Sequence, residues 1–61
     1  MNNTILFSTD HATSLMIDAG LTDKQIVTFI AETSNIPVND KVYYEAHSVN
    51  KYIDHTKKGL S

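Results

Sequence analysis

Histidines at 11, 47 and 55 are the side chains in this sequence best suited to holding a metal ion or moving a proton, and their spacing suits neither task. His47 and His55 lie eight residues apart, whereas two ligands on one helix chelate at i and i+3 or i+4. The residue four after His47 is Lys51, which repels a cation, and Asp54 is adjacent to His55 and so diverges from it around a helix. Surface histidine is therefore the reading, and no metal site is expected. With no cysteine in the chain, thiolate zinc sites and thiol redox chemistry are excluded, and a reducing, cytoplasmic setting is the default expectation.

Other catalytic arrangements fare no better. Two glycines, at 20 and 59, match neither a P-loop nor a dinucleotide fingerprint. Serines, threonines and carboxylates are present, but a 61-residue chain encloses little volume in which to set a nucleophile beside its base. The expectation is a non-enzymatic protein with no cofactor and no small-molecule substrate.

A contact surface is a better use of these residues. Tyr44, His47, Ser48, Lys51, Tyr52, His55 and Lys58 fall on one side of a helical projection, opposite an apolar stripe. Tyrosine interleaved with lysine suits an acidic partner or a phosphate backbone, and tyrosine is enriched at protein interfaces. The plainer alternative is that Tyr43 and Tyr52 flank the core with their hydroxyls in water. Tyr44, His47, Lys51, Tyr52, His55 and Lys58 are assigned as the partner-binding set.

The elements that must position this surface are helical by pattern. The first helix is expected over residues 10 to 19: Ser8, Thr9 and Asp10 offer N-caps, Ala12, Leu15, Met16 and Ala19 repeat at i, i+3, i+4 and i+7, and Gly20 ends it. The second spans residues 22 to 34. Thr22-Asp23-Lys24-Gln25 is a T-x-x-Q capping box, Leu21 is a hydrophobic staple to Ile26, and Asn35-Ile36-Pro37 is the stop. The third is expected to run from residue 40 to 57, capped by Asn39, with Val42, Ala46, Val49 and Ile53 at spacings of four and three and Lys57 and Lys58 in its last turn.

These elements make an all-α module of three helices with short connections. Its expected core is Leu15, Met16, Ile26, Phe29, Ile30, Val42, Ala46, Val49 and Ile53, with Phe7 and Leu21 closing the ends. Thr4-Ile5-Leu6-Phe7 is β-branched and aromatic and reads as an extended arm in preference to a short strand, because an isolated strand has no partner inside the chain and would find one only in its copy in a dimer. A domain of this length buries only about 60% of its unfolded surface and lacks a disulfide staple. Self-association into a symmetric dimer is expected to add stability.

Composition narrows the partner. Five lysines and no arginine stand against seven carboxylates, for a formal charge of −2, and a dedicated nucleic-acid binder is usually strongly basic and uses arginine to read guanine. The opening residues carry no basic region and too short an apolar run for a signal peptide, and no stretch approaches the ~20 apolar residues of a membrane span. A protein partner is the first reading. DNA is the second, through a helix-turn-helix loosely imitated by Ile30-Ala31, the turn at Asn35 and the start of the third helix at residues 38 to 42.

Overall fold

The computed structural model describes residues 4 to 59, in the order β1 (Leu6–Ser8), α1 (Thr9–Asp18), α2 (Asp23–Glu32), β2 (Ile36–Val38), β3 (Lys41–Glu45) and α3 (Ala46–Gly59). Three helices share one core with a three-stranded antiparallel sheet of order β1-β3-β2, which α1 and α3 contact directly. The fold is α+β, which corrects the all-α expectation. No helix among the described residues is long and apolar enough to cross a membrane.

The first two helices follow their local signals closely. Ser8 caps α1, its hydroxyl accepting from the His11 amide at 3.1 Å. The helix ends in a Schellman arrangement, in which the Leu21 amide donates to the Met16 carbonyl at 3.0 Å and the Gly20 amide to Ile17 at 2.9 Å. Gly20 sits at φ 91°, where an L side chain is strained. Leu21 then drops into the core, beside Met16 in the same cluster. The Thr22 capping box at the start of α2 makes both of its bonds, Thr22 N to Gln25 Oε1 at 2.8 Å and Gln25 N to Thr22 Oγ1 at 3.2 Å. Thr22→Ala leaves the Gln25 amide unpaired and is expected to lower stability by about 1 kcal/mol, read from the urea midpoint; an unchanged midpoint would mean that water replaces the cap at no cost.

The third helix departs most from expectation. Residues 41 to 45 form a strand, and α3 begins only at Ala46. The 4-3-4 spacing of Val42, Ala46, Val49 and Ile53 fits a helix, but Lys41-Val42-Tyr43-Tyr44-Glu45 is also β-branched and aromatic, the composition of a strand. Asn39 and Asp40 have φ of 50° and 66°, the paired left-handed conformation of a two-residue hairpin turn. Asn39 is thus a turn residue between β2 and β3 and not an N-cap.

The supposed N-terminal arm supplies the other half of the explanation. Leu6, Phe7 and Ser8 pair with Glu45, Tyr44 and Tyr43, and the Ala46 amide donates to the Ile5 carbonyl at 2.8 Å. Once β3 exists, the arm has a strand partner inside the chain. Ile36, Pro37 and Val38 pair along the other side of β3 with Tyr43, Val42 and Lys41, and Pro37 sits on an edge strand, where its missing donor is tolerated.

Ala12, Met16, Leu21, Ile26, Phe29, Tyr44 and Val49 make up the buried cluster, with Phe7, Leu15, Ala19, Ile30, Tyr52 and Ile53 half-buried against it. Val42, expected in the core, is 39% exposed near the hairpin end of the sheet. Tyr44, expected at the surface, takes the interior position and is 2% exposed.

Candidate partner-binding cleft

The face of α3 that carries the interleaved tyrosine and lysines meets the C-terminal half of α2 along an open cleft of about 700 Å³. Ser48, Lys51, Tyr52, Asp54, His55 and Lys58 line it from α3, and Phe29, Glu32 and Thr33 line it from the end of α2. Helix geometry explains the α3 contribution, since positions 48, 51, 52, 55 and 58 repeat at threes and fours and so share one side.

Two aromatic rings form its inner wall. Tyr52 stands 5.0 Å from Phe29, centroid to centroid, tilted by 47°. Its hydroxyl donates to the Gln25 carbonyl of α2 at 2.7 Å, which fixes α3 against α2 and leaves the ring only partly open to the cleft. Lys51 and Lys58 stand on the rim with the carboxylates of Glu32 and Asp54. Lys58 Nζ and Asp54 Oδ2 are 3.4 Å apart across one turn of α3, with both side chains largely exposed. Such a pair contributes little to stability because water screens it.

Of the six residues assigned from sequence, Lys51, Tyr52, His55 and Lys58 come together in this cleft. His47 is exposed in a separate depression with Thr4, Ile5, Glu45, Ala46 and Asn50, so the two α3 histidines do not share a site. Tyr44 belongs to β3 and packs inward, 5.4 Å from the Phe29 ring. Its place in the partner-binding set is corrected on that ground, because a side chain shut into the core cannot touch a partner. Among the described residues no group of three or more histidine or carboxylate side chains is arranged to hold a metal ion. Phe29, Glu32 and Thr33 were not assigned to the site from sequence. They face α3 only through packing, and nothing in the spacing of α2 distinguishes them.

The helix-turn-helix expected across residues 30 to 42 is absent, because that stretch holds β2, a hairpin turn and the start of β3. Helix-turn-helix connectivity occurs earlier instead: two ten-residue helices, α1 and α2, are joined by residues 19 to 22 with Gly20 in the left-handed region. Its signal in the sequence was Gly20 just before the capping box. On α2 the exposed side chains are Asp23, Lys24, Val27, Ala31 and Glu32, and the Thr28 hydroxyl is engaged with the Lys24 carbonyl at 2.8 Å. Comparison with known proteins finds no family model, curated protein or solved structure that matches this chain significantly.

Proposed function

We propose that this chain is a small, non-enzymatic regulatory module that acts by binding another protein in the cleft between α2 and α3. The supporting observation is the gathering of Lys51, Tyr52, His55 and Lys58 around the Phe29 and Tyr52 rings. An aromatic wall inside a charged rim is the anatomy of an interface hot spot, where the rings supply apolar area and the rim sets orientation. Both signs of charge are present, so the partner is recognised by shape and paired charge rather than by a uniform field. A cytoplasmic setting fits a chain without cysteine.

One observation favours a second reading, DNA binding by α1 and α2: the four-residue, glycine-containing turn that joins them. Connectivity alone does not carry function. The exposed side of α2 offers two carboxylates against one lysine, and neutralising phosphates supplies most of the affinity of non-specific DNA binding.

One experiment separates the two. Peptides selected from a random display library against the folded protein are titrated into its ¹⁵N-labelled form, and random duplex DNA is titrated in parallel at low and moderate salt. The protein-binding reading expects peptide shifts at Glu32, Ser48, Lys51 and His55, and a loss of about tenfold or more in affinity for Lys51→Ala/His55→Ala, equivalent to ~1.4 kcal/mol. Peptide binding that ignores this double variant would reject the cleft. Salt-sensitive DNA shifts at Lys24, Val27 and Ala31 of α2 would promote the second reading.

A further inference from the structure

The outer face of the sheet is more apolar than a solvated strand face usually is. Strand residues alternate between faces. Tyr44 and Phe7 point into the core, and so Lys41, Tyr43 and Glu45 of β3 point away from it, together with Leu6 and Ser8 of β1 and Ile36 and Val38 of β2, which pair beside them. The core and the half-buried side chains packed on it do not include Leu6, Ile36, Val38 or Tyr43. By strand alternation these four lie on the face turned away from the core cluster and the helices that build it. A solvated antiparallel face normally alternates to polar residues; here Tyr43 and Ile36 stand side by side at its middle, and Val38, 40% exposed, lies beside Lys41 at the hairpin end.

We infer that this face docks on the same face of a second copy of the chain, with the two-fold axis lying between the sheets and crossing the strands at Tyr43. The charge pattern selects this occupant. Lys41 and Glu45 are exposed, lie on the outer face and flank Tyr43 at equal distances in sequence. Turning a second sheet about that axis runs its β3 antiparallel to the first. Tyr43 then meets Tyr43, Ile36 meets Ile36, and each Lys41 faces the Glu45 of the other copy. An isologous interface must be self-complementary in this way, and opposed charges at its margins set the register. Facing sheets stand about 10 Å apart, which a lysine and a glutamate span between them.

This inference goes beyond the proposed function and does not depend on it, because the α2–α3 cleft lies on the helical side of the sheet. It gives that function a second use: a dimer presents two clefts, and two linked sites raise apparent affinity for a repeated partner. Only three short strands contribute, fewer residues than the ~800 Å² per copy of a stable interface requires. Association is accordingly expected on the order of 10⁻⁴ M.

Sedimentation equilibrium of the full chain, from about 10 µM to about 1 mM to bracket that constant, tests the dimer through a charge swap. The wild type is expected to move from monomer toward dimer. Lys41→Glu and Glu45→Lys each bring like charges together at both ends of the interface and should weaken association by roughly tenfold or more. The double variant Lys41→Glu/Glu45→Lys restores opposite charges and should dimerise like the wild type. Far-UV circular dichroism confirms that each variant folds, as expected at exposed positions. A wild type that stays monomeric at the highest concentration overturns the inference. So does a dimer indifferent to the single reversals, or a double variant that fails to recover.

Discussion

Replacing Phe29 with alanine should unfold most of the population at ambient temperature. The ring is 2% exposed and stacks at 5.4 Å and 5.0 Å against Tyr44 and Tyr52, so it joins α2 to both β3 and α3. Truncating a buried phenylalanine costs about 3–5 kcal/mol through lost burial and the cavity left behind. At ~0.05–0.15 kcal/mol per residue, a chain of 61 residues has a total stability of about 3–9 kcal/mol, and a single core of this size without a disulfide or metal sits at the low end, about 3–5 kcal/mol. Urea titration followed by circular dichroism should show the Phe29→Ala variant unfolded or with its midpoint near zero denaturant. A midpoint equal to that of the wild type would place the ring outside the core and remove the wall of the cleft with it.

Tyr44→Ala is expected to be nearly as damaging, on the order of 3–5 kcal/mol by analogy with other buried aromatic truncations. Here the consequence reaches the strands, because Tyr44 is the residue of β3 that anchors the sheet to the helices and pairs with Phe7 of β1. Tyr44→Phe keeps the ring. Removing the hydroxyl alone costs at most one hydrogen bond, so the phenylalanine variant should stay within about 1.5 kcal/mol of the wild type. The contrast between the two variants is the informative measurement. A folded Tyr44→Ala variant that loses partner binding would return this tyrosine to the surface, as the helical projection of residues 40 to 57 had it.

That misplacement shows where reading the chain one segment at a time fails. Residues 41 to 45 satisfy two patterns at once: Val42 extends a helical stripe through Ala46, Val49 and Ile53, while Tyr43 and Tyr44 suit alternation in a strand. Helix periodicity beyond Ala46 is real, and it placed Lys51, Tyr52, His55 and Lys58 on one side, where the cleft has them. Before Ala46 the same projection carried Tyr44 to the wrong surface. The rest of the cleft, Phe29, Glu32 and Thr33, comes from a second helix whose rotation about its axis is a property of the packed molecule.

Local chemistry was enough for α1 and α2. Ser8, Gly20, the Thr22–Gln25 box and the Met16, Ile26 and Phe29 positions each act within a few residues, so their bonds are legible in order along the chain. The sheet was decided at a distance. Leu6–Ser8 is a strand because Tyr43–Glu45, more than thirty residues later, offers it a ladder, and the other end of β3, Lys41–Tyr43, is held extended because the Asn39-Asp40 turn folds β2 back along it. Each segment alone is too short to hold an extended conformation. Their backbone groups find partners only when all three strands assemble, and that mutual dependence fixes which tyrosine is buried and which is left on the outer face.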